Sequence, residues 1–312
     1  MNKALEDMLR PYAPVTPLDW MHAIREVVQE IALLGLWRSG FFEEAAFYGG
    51  TALRIFHGLN RFSEDLDFSL REEGATIRLA AALASVKTEL TAWGLPFEVE
   101  PKSSGNRTGI ESAFLKGNTR INLLNVGVPE ELSRFVPHNQ KITVKLELDI
   151  TPPPLASTEI KTHLQPTPFQ VRLYDLPSLF AGKLHAILFR NWKSRVKGRD
   201  FYDFVWFISR RIPVNLPHLR ARIAQNGKQA VEQLDIATVQ TLLRERIQSV
   251  DVAASAEDVR PFLRDPRELQ LWNTALFMQL IQQLRPLAHV GITDAHGASS
   301  NHHGVDGFGC DL

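Results

Sequence analysis

The sequence predicts an α+β protein: a mixed β-sheet flanked by helices, followed by a C-terminal helical bundle. Strand-like and helix-like segments alternate as far as the triproline at residues 152–154. One of those strands, KITVKLELDI at residues 141–150, alternates polar and apolar side chains without a break. Beyond the triproline, apolar residues recur mainly at helical spacing. With 312 residues, 44% of them hydrophobic, the chain is long enough and apolar enough to bury a core.

Thr16-Pro17 is a helix start, with Thr16 as N-cap and Pro17 in the first turn. Leu18, Met21, Ile24, Val28, Ile31 and Leu34 follow at helical spacing, and Gly35 and Gly40 punctuate the end. Residues 45–48 read as a short apolar strand, 51–57 as a helix stopped by Gly58, and 66–70 as a second strand. An alanine-rich helix is expected over 76–93. Strand-like runs follow at 97–100, 112–115 and 120–126, with a Ser-Ser-Gly-Asn loop at 103–106 between the first two. After the triproline, helices are expected over 177–192, 200–210, 216–224, 236–250, 256–263 and 266–284. This divides the chain into 1–155, the sheet with its N-terminal helix; 156–285, the helical part; and 286–312, a disordered tail. The tail holds no Lys or Arg and carries His289, His296, His302 and His303.

Lys plus Arg equals Asp plus Glu, at 35 each, so the chain is not a polycation and any affinity for nucleic acid must come from local patches. The single cysteine, Cys310, rules out an internal disulfide or a cysteine-based zinc site. The N-terminus lacks the apolar core of a signal peptide, and no uncharged apolar run is long enough to cross a membrane. These features lead to the expectation of a cytoplasmic protein without a membrane partner.

The richest stretch is FYGGTALRIFHGLNRFSEDLDFSL at residues 47–70. Gly49 and Gly50 lie between a strand and a helix. There the backbone N–H groups of the helix N-terminus can cradle phosphates, and Thr51 can add a hydroxyl donor. Asp65 and Asp67 share one face of the next strand, with Leu66 turned to the core, an arrangement that can hold divalent metal. Either feature alone is common; their order and spacing make the signal. Such a site needs a third carboxylate from a neighbouring strand. Residues 141–150 offer Glu147 and, nearer the strand end, Asp149; Glu147 is favoured. Lys145, on the same face, can bind phosphate or neutralise Glu147.

A second informative segment is DLPSLFAGKLHAILFRNWKSRVKGRDFYDF at residues 175–204. Its apolar helix face leaves Lys183 on a flank with Arg190 further along, both able to reach a triphosphate. Arg190, Lys193, Arg195, Lys197 and Arg199 form a basic run that can receive RNA backbone or simply be a solvated loop. Asp200 can cap the next helix; Asp200 or Asp203 can instead orient Lys183 or Arg190. No G-x-S-x-G, Walker-type or Rossmann glycine pattern is present.

The segments GGTALRIFHGLNRFSEDLDFSL, VKLELDITPPP and FAGKLHAILFRNWKSRVKGRDFYDF resemble the nucleotidyltransferase toxins of the AbiEii/AbiGii family, within the DNA polymerase β-type nucleotidyltransferase superfamily. The resemblance spans roughly residues 47–207, and many family members carry serine where this chain has Thr51. It implies a nucleotidyltransferase-like catalytic core over 1–155, with a helical domain that completes the cleft. It also implies a site made of Gly50, Thr51, Asp65 and Asp67, an acid matching Glu147, a functional lysine matching Lys183 and an aspartate matching Asp200 or Asp203. The expected chemistry is Mg²⁺- or Mn²⁺-dependent transfer of a nucleotide from a nucleoside triphosphate, with release of pyrophosphate. The resemblance further implies a toxin of a phage-defence toxin–antitoxin pair, acting on the tRNA 3′ end and neutralised by a cognate antitoxin. Transfer to a protein acceptor, a housekeeping RNA-modifying role, and a non-catalytic nucleotide-binding regulator are the alternatives.

Overall fold

The alternation read at residues 141–150 becomes an interior strand of a seven-stranded sheet. The computed structural model describes residues 3–75, 77–102, 110–128, 130–134, 136–190, 196–225 and 234–288. The strands are β1 (Ala45–Tyr48), β2 (Leu66–Leu70), β3 (Glu98–Lys102), β4 (Ile110–Asn118), β5 (Lys141–Asp149), β6 (Thr158–His163) and β7 (Phe169–Tyr174). Their spatial order is β3-β4-β5-β2-β1-β7-β6. β2 runs parallel to β5 and antiparallel to β1, and β1 runs parallel to β7. The sheet is mixed, as the sequence predicts. It also continues past residue 155: β6 and β7 pair as a hairpin and join it through β1 before the helices begin. Sequence reasoning passed over both strands in a segment it read as mainly helical.

Strand alternation sends the two sheet faces to different surroundings. Ala45 and Phe47 of β1, Leu66, Phe68 and Leu70 of β2, and Ile142, Val144, Leu146 and Leu148 of β5 join one core with the N-terminal helices. Ala46 and Tyr174 join a second core built by the C-terminal helices. Asp67, Lys145, Glu147 and Asp149 therefore lie on the face turned toward the helical half.

The N-terminal helix Pro17–Arg38 starts as expected: the Thr16 side chain accepts from the Asp19 N–H, and Asp19 returns the bond to Thr16. It does not stop at Gly35, which lies inside the helix. A Cβ there would come within 2.7 Å of Val86 Cα, on helix Leu79–Ala92, so glycine is present for helix–helix approach. Residues 119–125 form a helix rather than a strand, because the Asn118 side chain accepts from the Ile121 N–H at 3.0 Å and caps it. The C-terminal helices are Leu176–Phe189, Gly198–Ser209, Leu216–Gln225, Ile236–Gln248, Val252–Val259 and Thr274–Ile281. The single helix expected at 266–284 is split by Asn273, which caps Thr274–Ile281, and the helix expected from 256 begins at Val252 behind the Asp251 cap. Of the expected tail, Leu287 is tied down, its N–H donating to the Val214 carbonyl at 2.9 Å. The loop at 103–106, the four tail histidines and Cys310 lie outside the described residues.

Gly35→Ala should therefore reverse the usual helix-interior rule. Alanine is ordinarily better there by about 1 kcal/mol, but the crowding against Val86 is expected to destabilise the variant by about 1–3 kcal/mol in urea unfolding. Equal or greater stability would contradict the close packing.

Candidate active site

Helix Gly49–His57 leaves β1 through Gly49, which has φ of 83°, in the left-handed region that favours glycine. A Cβ on Gly49 would run into the Asp67 carboxylate, so the glycine turn and the strand that carries Asp67 are in contact here. Tyr48, the residue before the helix, makes no side-chain cap to it. Gly50 lies equally close to another group: a Cβ there would approach Arg61 Nη2 to 2.6 Å.

Register brings the acids together. Tyr48 pairs with Asp67 across β1 and β2, and Asp67 pairs with Glu147 across the parallel β2–β5 ladder. Asp65 immediately precedes β2. Burial pushes the Asp67 carboxyl up to about 7, with Asp65 and then Glu147 adding repulsion. Burial also raises Asp65, reinforced by Glu64 and Glu147 and opposed by Arg199. Glu147 thus interacts with both aspartates. Asp149 sits opposite Ser69, one pleat further on; its carboxylate accepts from the Thr151 N–H at 3.0 Å and is influenced by Arg222 rather than by Asp65 or Asp67. Glu147 is thus the nearer of the two acids to Asp67, although Asp149 lines the same cleft. Lys145 forms an ion pair with Glu147, the neutralising role of the two foreseen.

Gly49, Gly50, Asp67, Glu147, Lys183 and Arg190 line one cleft of about 740 Å³. Lys183 projects from helix Leu176–Phe189 and binds two carboxylates, Asp200 Oδ1 at 2.9 Å and Asp203 Oδ2 at 2.7 Å. Burial alone would lower its pKa; Asp200 and Asp203 outweigh that and raise it, so the ammonium is charged. Arg190 binds Asp200 Oδ2 at 2.7 Å. Burial opposes ionisation of Asp200, but Lys183 and Arg190 hold its carboxyl below the usual range. Asp203 is 0% exposed and takes a two-pronged contact from Arg61, at 2.6 and 2.7 Å. Arg61, Lys183 and Arg190 thus share two carboxylates, which leaves the network one positive charge in excess beside the acidic row.

Two expectations change. Thr51 is fully buried and its hydroxyl donates to the Asp65 backbone carbonyl. It ties the helix start to the start of β2 instead of facing a phosphate. Asp200 is not the N-cap of helix Gly198–Ser209; Lys197 holds that place, and Asp200 sits in the first turn with its carboxylate on Lys183 and Arg190. Of the basic run, Lys193 and Arg195 lie outside the described residues. Arg199 binds Glu64 Oε2 at 3.0 Å, and Lys197 is exposed. Sequence reasoning missed Arg61. The one available signal was an arginine isolated in an otherwise apolar and polar-neutral run between Gly58 and Glu64.

Among the described residues, no three His, Cys, Asp or Glu side chains are arranged to hold one ion as they stand, and the Glu147 carboxylate is engaged by Lys145. The donor set nevertheless fits a hard divalent cation. It consists of carboxylate oxygens on half-buried side chains, and Asp67 and Glu147 sit opposite each other on neighbouring strands.

The family model described as "Nucleotidyl transferase AbiEii toxin, Type IV TA system" matches residues 31–277. The chain belongs to the AbiEii nucleotidyl transferase toxin family. AbiEii proteins are nucleotidyltransferases, so the chain is an enzyme of that class, from a family of toxins of type IV toxin–antitoxin systems. Among solved structures, JHP933 from Helicobacter pylori aligns at 19% identity with a TM-score of 0.48, covering 84% of this chain and 90% of that one. A nucleotidyltransferase-like antigenic protein from Paracoccidioides brasiliensis aligns at 16% identity with a TM-score of 0.40, covering 84% and 94%. These scores are low, and the family assignment rests on the family match. No curated protein matches the chain. No described helix of this AbiEii protein is long and apolar enough to cross a membrane.

The raised Asp67 carries a sign. Its folded pKa of about 7 exceeds the ordinary 3.8, so the folded metal-free protein holds a proton that the unfolded chain releases. The destabilising contribution of Asp67 is absent below about pH 4, grows through the interval and is full above pH 7. Asp67→Asn, melted in EDTA, is expected to raise Tm at pH 8 and to leave it near wild type at pH 4. A gap that shrinks as pH rises would contradict this.

Proposed function

We propose that this AbiEii protein transfers a nucleotidyl group from a nucleoside triphosphate to the 3′ end of an RNA, with tRNA the expected acceptor. The observation that carries the reading is the contact of Gly49 with Asp67 while Asp67 faces Glu147 and Lys183 lines the same cleft. A triphosphate needs close backbone approach, carboxylates that can hold cations and a fixed lysine, and Gly49, Gly50, Asp67, Glu147 and Lys183 stand around one space.

In this reading, Gly49 and Gly50 let the β- and γ-phosphates approach the first N–H groups of helix Gly49–His57. Lys183, kept charged and pinned by Asp200 and Asp203, opposes the phosphate charge from the helical wall, and Arg190 does so nearer solvent. Asp65, Asp67 and Glu147 would hold Mg²⁺ or Mn²⁺, which when bound supplies charge neutralisation for the triphosphate and lowers the pKa of the acceptor hydroxyl. Glu147, once released from Lys145, takes the proton of that hydroxyl. The hydroxyl oxygen forms the bond to the α-phosphorus, the bond from the α-phosphorus to the bridging oxygen breaks, and pyrophosphate leaves. Such transfer to a tRNA 3′ end would block aminoacylation, which accounts for a toxin and for the need of a cognate antitoxin in a phage-defence pair.

Asp65→Ala and Asp67→Ala are expected to reduce transfer of labelled nucleotide to total RNA by at least about 10³-fold, a scale typical for loss of a principal electrostatic contributor, with folded circular-dichroism spectra. Sequencing RNA 3′ ends after supplying each triphosphate in turn identifies donor and acceptor. Full activity in both variants, or label that follows protein instead of RNA, would overturn the proposal.

A further inference from the structure

Asp67 and Glu147 line the cleft just described, and Asp65, beside them, also feels the charges of Glu64 and Arg199. Arg25 comes from helix Pro17–Arg38 and Arg199 from the first turn of helix Gly198–Ser209. The two guanidinium groups converge on one carboxylate, that of Glu64, next to Asp65 in sequence. Arg25 Nη1 lies 3.5 Å from Glu64 Oε1 and Arg199 Nη1 lies 3.0 Å from Glu64 Oε2, so each arginine takes one oxygen. A phosphodiester offers the same charge and the same pair of terminal oxygens.

Further details suit this group to an anion larger than one carboxylate. Arg25 Nε is buried without a hydrogen-bond partner, so the guanidinium has donor capacity that Glu64 leaves unused. Arg199 is fixed by stacking over Phe262, with Cζ 4.4 Å from the ring centre. Glu64 keeps a side chain 35% exposed, while Arg25 keeps 11%, so the acid is the member free to swing into water. Burial lowers the pKa of Arg25, and the nearby Arg199 charge adds to the lowering. Lys197, beside them, is lowered by burial and then by Arg190 and Arg199, and so belongs to the same positive field around Asp65.

We infer that Arg25 and Arg199 form the seat for the terminal phosphodiester of the acceptor RNA, on the Asp65 side of the acidic row, with the Glu64 carboxylate occupying that seat until RNA arrives. The inference rests on nucleotidyl transfer to RNA. It gives the site a direction: the triphosphate enters by the cleft of Gly49, Lys183 and Arg190, and the acceptor strand enters from helix Pro17–Arg38. The 3′-hydroxyl then meets the α-phosphorus at the row of Asp65, Asp67 and Glu147. Glu64 acts as a competitor that any weakly bound anion must displace, which favours a polyanionic strand over a single phosphate.

The test is steady-state transfer to RNA by full-length Arg25→Gln, Arg199→Gln and Glu64→Gln proteins, each checked by thermal melting. The arginine variants are expected to raise KM for the RNA about ten-fold, the effect of losing one charged hydrogen bond, with KM for the triphosphate unchanged. The dependence of log KM on log salt should flatten by about 0.7 for each arginine removed. Glu64→Gln should move the other way and lower KM for RNA, an outcome that misfolding cannot imitate. RNA transfer with KM for RNA unchanged in Arg199→Gln and Glu64→Gln overturns the seat alone. Wild-type protein that labels protein and not RNA overturns the seat together with the reading beneath it.

Discussion

Carboxylates withdrawn from water beside one another repel, and this fold enforces that arrangement. Asp67 and Glu147 are opposite residues of a parallel strand pair, and Asp65 enters on the same side. The apolar partners of these acids, Leu66, Phe68, Leu146 and Leu148, are buried in the N-terminal core, so a slip of register that separated the acids would expose the core. Hydrophobic packing on one face thereby holds a charge conflict on the other. Burial first, and then the charges of Asp65 and Glu147, push the Asp67 carboxyl upward, and a cation bound there would oppose that push.

The opposite wall is built on the same logic with the signs mixed. Arg61, Asp203, Lys183, Asp200 and Arg190 form a chain of ion pairs, three members of which, Arg61, Asp200 and Asp203, are almost wholly buried. Buried pairs of this kind contribute little net stability but strongly fix geometry, because an unpaired buried charge is costly. Arg61 belongs to the loop between the glycine turn and β2, and Asp203 to the helical half. Their contact, with the backbone bond from the Phe62 N–H to the Phe262 carbonyl at 2.8 Å, locks the two walls of the cleft together. Lys183 is thereby held in place on the cleft wall by Asp200 and Asp203, a preorganisation that the proposed transfer would use.

What the sequence disclosed follows from what kind of information local patterns carry. The strict alternation of residues 141–150 and the Thr16-Pro17 cap were legible because period and capping are local. The nearness of Gly49 to Asp67 was anticipated from spacing and Glu147 was already favoured over Asp149, whereas the direct pairing of Asp67 with Glu147 is visible only in the register. β6 was missed because TEIKTH is a short, mostly polar edge strand, whereas the alternation of Phe169, Val171 and Leu173 in β7 was legible and was passed over. The helix at Thr119–Asn125 was mistaken for a strand because its apolar residues also satisfy a short strand pattern, and only the Asn118 cap decides it. Thr51 and Arg61 show the limit most clearly: one was assigned to a ligand and is spent on a backbone carbonyl, the other was overlooked and anchors the cleft through a residue far along the chain.

The central claim is that one bend of backbone and one row of acids serve a single triphosphate. Anomalous diffraction from crystals grown with Mn²⁺ and a non-hydrolysable nucleoside triphosphate addresses it directly. The account requires manganese density bounded by the carboxylates of Asp65, Asp67 and Glu147, with phosphate oxygens at the backbone N–H groups that follow Gly49. Manganese bound elsewhere, or a triphosphate lying away from that bend, would contradict it.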